Sequence, residues 1–72
     1  MPSTAIRRIM YDPIDRELWV TFVSSRQYVY FGVPQEKFSA FSHADSRGGF
    51  FNREIRDRYA YREVTAQHRQ AS

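Results

Sequence analysis

Three segments in the first half of the chain are rich in residues that favour β-strands. Glu17–Val23 is the clearest, since it consists largely of β-branched and aromatic residues. Thr4–Tyr11 and Gln27–Val33 are the predicted first and third strands, and the three together form an antiparallel meander. Successive residues of a strand point to opposite sides. One face of the second strand therefore carries Leu18, Val20 and Phe22, and the other carries Trp19, Thr21 and Val23.

The two connections between these strands differ in how clearly they are specified. Asp12–Asp15 is a turn, because Pro13 fixes its own φ and aspartate side chains bond nearby backbone N–H groups. The second connection leaves the register open. A two-residue loop at Ser24 and Ser25 places Tyr28 and Tyr30 beside Trp19 and Thr21. A three-residue loop, Ser24–Arg26, places both tyrosines beside Leu18, Val20 and Phe22.

A shift of one residue exchanges the two faces of a strand, so this choice decides where both tyrosines point. Two-residue hairpins favour glycine or asparagine at positive φ, and Ser24-Ser25 supplies neither. We therefore favour the three-residue loop and tyrosines that point into the core.

A helix is predicted after the third strand. Pro34 suits its first turn, where a missing N–H has no cost, and Glu36 lies near the positive end of the helix dipole. Phe38, Phe41 and Ala44 fall on one side at helical spacing. This side packs on the sheet.

A second helix is predicted from Arg47 to about Tyr59, with Ser46 as its N-cap. Its apolar stripe consists of Gly48, Phe51, Ile55 and Tyr59. Because Gly48 has no side chain, the start of this helix can approach the element beside it closely. On the outer face, Arg53 with Asp57 and Glu54 with Arg58 are expected to form i,i+4 ion pairs.

The expected fold is α+β: a three-stranded antiparallel β-meander with two α-helices packed on one face. Tyr59–Val64 forms either a short fourth strand or an extended arm over the core. Residues 1–72 make a single domain, with an ordered core of about residues 4–64 and a polar, disordered tail at residues 65–72.

Composition places this chain among small soluble domains. Six Phe, five Tyr and one Trp can fill a core that aliphatic side chains alone would leave thin. Cysteine is absent, which excludes disulfides and cysteine-based zinc sites. There is no apolar run of membrane-spanning length and no signal-peptide pattern, so no membrane partner and a cytoplasmic location are expected.

The charge leaves two interpretations open. Eleven basic residues against eight acidic ones give a net charge of +3, and all the basic residues except Lys37 are arginine. Arginine suits phosphate and stacks on flat rings, which favours a nucleic-acid partner. The same charge is also ordinary for a soluble surface on which acidic and basic residues alternate.

No pattern of catalytic, cofactor-binding or metal-ligating residues emerges. Gly48-Gly49 is followed by two phenylalanines where a phosphate-binding loop needs Lys and Ser or Thr. His43 and His68 lie far apart and have no cysteine partner. The chain is therefore expected not to be an enzyme and to need no cofactor, although the second helix's N-terminus, with Arg47, could hold one phosphate of a bound strand.

An exposed basic and aromatic surface is the remaining candidate site. Trp19 is expected on the open outer face of the sheet, where it stacks on a base, packs on the C-terminal arm or mediates self-association. The candidate nucleic-acid contacts are Arg7, Arg8, Trp19, Arg47, Arg53 and Arg56.

An ordered set of short motifs is spread over about Ile6 to Arg62. Its positions are Tyr28, Tyr30, Val33, Pro34, Ala44, Ser46, Gly48, Phe51, Asn52, Ile55, Arg56 and Tyr59. This set resembles the KTSC domain, a short bacterial module found at the C-terminus of some lysyl-tRNA synthetases and also as a free-standing protein. One departure from the family pattern is Ser25, where such domains often have glycine.

The resemblance implies RNA binding, with tRNA as one candidate, through the family's association with a tRNA-charging enzyme. Charging activity itself does not carry over, because this chain has no room for a synthetase catalytic domain. Arg56 is expected either to bond structurally to the protein or to meet phosphate. The hypothesis is thus a non-catalytic RNA-binding module, and the alternative is a module that binds another protein or itself.

Overall fold

The computed structural model describes residues 5–64, which form one antiparallel sheet with helices on one face. The four strands lie in the order β1-β2-β3-β4 across the sheet. The α+β prediction is confirmed, and the last segment is a fourth strand rather than an arm. Thr4 and the predicted tail at residues 65–72 lie outside the described residues. The elements are β1 (Ile6–Asp12), β2 (Glu17–Phe22), β3 (Gln27–Phe31), α1 (Gln35–Ser42), α2 (Arg47–Phe50), a π-helical turn (Phe51–Ile55) and β4 (Tyr61–Val64).

The turn between β1 and β2 has the predicted aspartate chemistry. The Asp12 carboxylate accepts hydrogen bonds from the backbone N–H groups of Ile14, at 3.0 Å, and Asp15, at 3.3 Å. Arg16 closes the turn at φ 56°. These local bonds satisfy the backbone without any tertiary partner, which is why the turn is visible in the sequence.

The hairpin between β2 and β3 has a three-residue loop, but it is Val23–Ser25 and not the predicted Ser24–Arg26. The Phe22 N–H donates to the Arg26 carbonyl at 2.9 Å, and the Ser25 N–H donates to the Phe22 carbonyl at 2.8 Å. The pairing therefore differs from the predicted one by two residues, which leaves the faces unchanged. Tyr28 lies opposite Val20 and Tyr30 opposite Leu18, so the inward orientation of both tyrosines is confirmed.

Ser25 occupies the left-handed region, at φ 77°. Three-residue hairpins need such a residue, and glycine adopts this conformation without the steric cost that a Cβ brings. We expect Ser25→Gly to raise the free energy of unfolding by about 0.5 kcal/mol, the strain relief exceeding the added entropy of the unfolded chain. Urea denaturation measures this. Ser24→Gly, at a residue without positive φ, should instead destabilise, and a Ser25→Gly variant no more stable than wild type would contradict the prediction.

β3 ends at Phe31, two residues before its predicted end. Gly32, at φ 75°, turns the chain so that Val33 enters the core and is fully buried. The Val33 carbonyl accepts a hydrogen bond from the Tyr11 hydroxyl at 2.5 Å. Pro34 then stands at the N-cap of α1 and not in its first turn, and its carbonyl accepts the first helical bonds.

The second helix is much shorter than predicted. Ser46 caps it as expected, since its hydroxyl accepts a bond from the Gly49 N–H at 3.1 Å. The helix widens into the π-helical turn, closed by a 2.8 Å bond from the Arg56 N–H to the Phe51 carbonyl, and it ends at Ile55. Asp57, at φ 64°, reverses the chain.

Pairing of β4 with β3 explains this early end. A helix continued to Tyr59 would carry the chain past the sheet edge, whereas the observed turn lets the Phe31 N–H bond to the Ala60 carbonyl at 2.9 Å. The two predicted i,i+4 ion pairs on this helix are absent from residues 5–64. Glu54 instead binds Lys37 of α1 at 3.0 Å, and the Arg58 side chain donates to the Arg53 carbonyl.

The core lies between the helices and the inner face of the sheet. Phe41 of α1 is its largest fully buried side chain, and the Phe50 ring stacks on it with centroids 5.4 Å apart. Within the described residues, no helix is long and apolar enough to cross a bilayer. The buried core residues are Leu18, Val20, Tyr30, Val33, Phe41, Phe51 and Ile55.

Candidate functional site

A cleft of about 440 Å³ opens on the helix-covered side of the sheet, at the end that carries the β2–β3 hairpin. The hairpin, β4 and the turn after the π-helix form its walls. Its side chains are mainly aromatic, with two arginines and one carboxylate among them. The lining residues are Ala5, Phe22, Val23, Ser24, Arg26, Tyr28, Tyr30, Phe51, Arg56, Asp57 and Tyr61.

Three tyrosines, Tyr28, Tyr30 and Tyr61, form the tyrosine cluster on the sheet side of the cleft. Tyr28 and Tyr30 share a face because they are two residues apart on β3, and Tyr61 lies opposite Tyr30 on β4. The Tyr30 and Tyr61 rings stack with centroids 5.4 Å apart. Tyr30 is only 4% exposed, whereas Tyr61 is 56% exposed. The cluster thus offers one ring to solvent and keeps one at the base.

Two phenylalanines hold the tyrosine cluster in place by edge-to-face packing. The Phe51 ring meets Tyr30 at 5.5 Å and 79°, and it meets Phe22 at 5.4 Å and 77°. Phe22 in turn meets Tyr28 at 5.7 Å and 78°. Such arrangements are favourable for aromatic pairs and restrict ring movement. The tyrosine cluster together with Phe22 and Phe51 forms the aromatic wall of the cleft. Packing between these rings holds the wall in place without a ligand.

Arg26 and Arg56 bring positive charge to the cleft. Arg26 follows the β2–β3 loop, and Arg56 follows the π-helical turn. A hydrogen bond with the Tyr28 side chain, followed by the charge of Glu63, raises the pKa of Arg26. Its guanidinium lies 3.7 Å from the Glu63 carboxylate. The Arg56 guanidinium donates to the Asn52 side-chain oxygen at 3.3 Å. Both arginines are solvent-exposed, so each keeps donors available for a ligand.

The Tyr30 hydroxyl is a buried donor at the cleft. Burial raises its pKa to about 12, helped by the neighbouring hydroxyls of Tyr61 and Tyr28, while Arg56 acts in the opposite direction. It is therefore protonated at neutral pH. Over residues 5–64, no hydrogen bond involves this hydroxyl, although buried polar groups usually have a partner. A ligand or water in the cleft can supply one.

The raised pKa of Tyr30 predicts a loss of stability in base. Below pH 10.0 the hydroxyl is protonated whether the chain is folded or unfolded; between there and about pH 12 only the folded form retains the proton. We expect the free energy of unfolding to fall over this interval by about 2 kcal/mol. Tyr30→Phe should show a smaller fall when both proteins are denatured with urea at each pH. Equal falls in the two proteins would contradict the assignment.

The structure separates the six predicted nucleic-acid contacts. Trp19 and Arg8 lie on the outer face of the sheet, opposite the cleft, with Trp19 half-buried. Arg7 lies at an irregularity of β1. The Arg47 side chain donates to the Ser42 carbonyl, and Arg53 is exposed on the π-helical turn. Of the six, Arg56 is the one that lines the cleft.

The motif positions divide between the cleft and its support. Tyr28, Tyr30 and Phe51 form its wall, and Ile55 and Tyr59 belong to or pack against the core. The Asn52 side chain accepts a hydrogen bond from Arg56, Pro34 is the N-cap residue of α1, and Gly48 is half-buried.

Sequence analysis missed Arg26, Asp57 and Tyr61 as site residues. Tyr61 would have been found by assigning Tyr61–Val64 to a strand beside β3, because its ring then joins the row of Tyr28 and Tyr30. Arg26 was missed because the predicted loop included it, whereas it pairs with Phe22 and lies two residues before Tyr28 on the same face. Asp57 gave no such signal, since it owes its place to the turn that precedes β4.

Comparison with known proteins assigns the fold and these motifs to a family. The family profile described as the KTSC domain matches residues 2–61. The chain belongs to the KTSC domain family. A protein from Tsukamurella paurometabola is 35% identical over 57 residues, 79% of this chain and 85% of the relative. A second relative, an uncharacterized protein from Stutzerimonas stutzeri, is 40% identical over 52 residues, 72% of this chain and 73% of its own length.

A solved structure supports the same assignment. The crystal structure of a KTSC domain protein from Yersinia pestis is similar with a TM-score of 0.82 and 33% identity. The match covers 90% of this chain and 94% of that chain. The KTSC fold therefore extends over the sheet, the helices and the turn that carries Arg56.

Proposed function

We propose that this KTSC domain is a non-catalytic module that binds single-stranded RNA, with tRNA among the candidates, at the cleft. The observation that carries this proposal is the meeting of a fixed aromatic wall with Arg26 and Arg56 in one cleft. Flat rings stack unpaired bases, and arginine binds phosphate. The fold alone does not imply this function, so the site carries it.

The shape of the site favours a single strand over a duplex. The rings lie inside a cleft, and only Tyr61 of the tyrosine cluster is largely exposed. A base can reach such rings only when it is unstacked, as in loops, bulges and strand ends. A duplex presents its backbone and groove edges instead, which would leave the aromatic wall unused.

Binding without a chemical step fits the groups in the cleft. Of the described residues that line it, the titratable ones are Arg26, Arg56, Asp57 and the three tyrosines. Tyr30 holds its proton to about pH 12. The arginine and tyrosine side chains are hydrogen-bond donors and the Asp57 carboxylate is an acceptor, which suits the binding of a ligand rather than proton exchange with a substrate.

Fluorescence anisotropy with a labelled single-stranded RNA tests the proposal. Each neutralised phosphate contributes a log–log salt slope of about −0.7 for single strands. With two arginine contacts, affinity should fall about sevenfold when salt rises from about 50 to about 200 mM. A hairpin RNA of equal length and no unpaired bases beyond its loop should bind more weakly. Absence of binding at the lower salt concentration would overturn the proposal.

Self-association through the outer face of the sheet is the second candidate function. Met10 is 51% exposed there and lines a groove of about 330 Å³ with Tyr11, Asp12, Trp19 and Gln27. Exposed apolar grooves of this kind are found in protein interfaces. Sedimentation analysis over a range of concentrations tests it: a dimer abolished by Met10→Lys supports this candidate, and a monomer at all concentrations rejects it.

A further inference from the structure

We propose that the cleft is a subsite for one unstacked nucleotide, whose base packs on the tyrosine cluster and whose phosphate is bound by Arg26 and Arg56. This inference rests on the proposed function and goes further, because it specifies a mononucleotide as the smallest ligand. It also assigns Glu63 as an internal competitor for Arg26.

Aromatic surface in the cleft is available to a base. Tyr61 stacks on Tyr30 with an interplanar angle of 28°, and more than half of its surface is exposed. A base that packs on the free part of this ring extends an existing stack. Base–aromatic stacking tolerates any base, and a purine offers the larger surface. The cleft volume of about 440 Å³ lies in the range of small-ligand sites.

Polar groups at the base of the cleft complement a nucleotide better than an apolar ligand. The Tyr30 hydroxyl is a donor that lacks a partner within residues 5–64. Its residue is only 4% exposed. The Asp57 carboxylate lines the same cleft as an acceptor. A nucleotide carries acceptors on its base and phosphate, and donors on its ribose and exocyclic amino groups, so it can satisfy both.

Glu63 limits the strength of the phosphate contact. Arg26 and Arg56 supply two positive charges, and Asp57 and Glu63 supply two negative ones close by. Glu63 does not line the cleft, but it holds Arg26 at 3.7 Å across β3 and β4. A phosphate must therefore share or displace this contact. Removing the Glu63 charge should strengthen phosphate binding.

An amide NMR titration of the labelled full chain tests the subsite with three probes: adenosine 5′-monophosphate, adenosine and inorganic phosphate. The nucleotide should shift the amides of Tyr28, Tyr30 and Tyr61 and those of the turn at Arg56. It should bind at least tenfold more tightly than adenosine or phosphate alone. Glu63→Gln should tighten nucleotide binding by about threefold, a factor in the range of one weak charge pair. Glu36→Gln, an equal charge change on α1, should leave it unchanged.

The outcomes separate this inference from the proposed function. Equal affinity for the nucleotide and for phosphate, or shifts confined to the outer face around Trp19, would overturn the subsite. If single-stranded RNA binds by anisotropy while the mononucleotide leaves the cleft unperturbed, the subsite is wrong and the RNA proposal stands. If neither ligand binds, both are wrong. A gain of affinity in Glu36→Gln equal to that in Glu63→Gln would overturn the competitor role.

Discussion

A variant carrying both Arg26→Gln and Arg56→Gln should bind single-stranded RNA at least ten times more weakly than the wild-type domain. Each substitution removes a charge-assisted hydrogen-bond donor from the cleft, and two such contacts together are worth at least the roughly 1.4 kcal/mol that a tenfold change represents. Anisotropy titrations at constant salt measure the loss. The salt dependence of the remaining binding should also become shallower, because fewer phosphates are neutralised.

The fold should survive this double substitution. Both arginines are exposed, and the contact of Arg26 with Glu63 is an exposed ion pair, which contributes about 0–1 kcal/mol. Circular dichroism and thermal unfolding of the variant, before RNA is added, test this expectation.

The matched control is Arg8→Gln with Arg62→Gln. It removes the same charge from the outer face of the sheet, since Arg8 lies opposite Thr21 and Arg62 opposite Val29. A weak effect in the control and a strong one in the cleft variant would locate binding at the cleft. The reverse result would contradict binding at the cleft and would instead locate it on the outer face, where Arg8 and Trp19 were candidate contacts.

Phe41→Ala should remove most of the stability of the domain. Phe41 is fully buried and is the largest such side chain, and its ring packs against Phe50 and Phe51. Truncating a buried phenylalanine costs about 3–5 kcal/mol. A domain of this size has a free energy of unfolding of only about 4–11 kcal/mol, so the variant should unfold at much lower urea concentration or fail to fold.

Urea denaturation followed by tryptophan fluorescence and circular dichroism measures this loss. Ile14→Ala is the control, because Ile14 is 88% exposed in the β1–β2 turn and should lose little stability on truncation. If Phe41→Ala lowers the free energy of unfolding by less than about 1 kcal/mol, the prediction is contradicted, because a fully buried ring should contribute more.

Prediction from sequence succeeded where structure depends on local chemistry. The β1–β2 turn, the Ser46 cap and the strand character of β2 each rest on neighbouring residues and on backbone bonds within a few positions. Prediction of the inward face of Tyr28 and Tyr30 also succeeded, because Ser24-Ser25 lacks the glycine or asparagine that a two-residue hairpin loop favours, which left the three-residue loop. The loop itself lies one position earlier than predicted, at Val23–Ser25 instead of Ser24–Arg26, since Ser25 adopts positive φ in place of glycine.

The candidate site could be predicted only in part. Tyr28, Tyr30, Phe51 and Arg56 are positions at which the sequence resembles the family, and all four line the cleft. Arg56 does not share a surface with Arg8 and Trp19, because the sheet separates the cleft from the outer face. Sequence spacing does not show which side of a sheet a distant helix covers.

The sequence by itself determined the antiparallel hairpins, the Ser46 cap at the start of the second helix, the apolar residues of the core and the KTSC family. Each of these depends on local backbone preferences or on a pattern along the chain. Only the tertiary structure decided that the second helix stops at Ile55, that β4 pairs with β3, and that Arg26, Arg56 and Tyr61 meet in one cleft. The physical reason is that the hydrogen bonds of β3 with the segment that follows Asp57 are long-range, and they override the helical preference of the residues between.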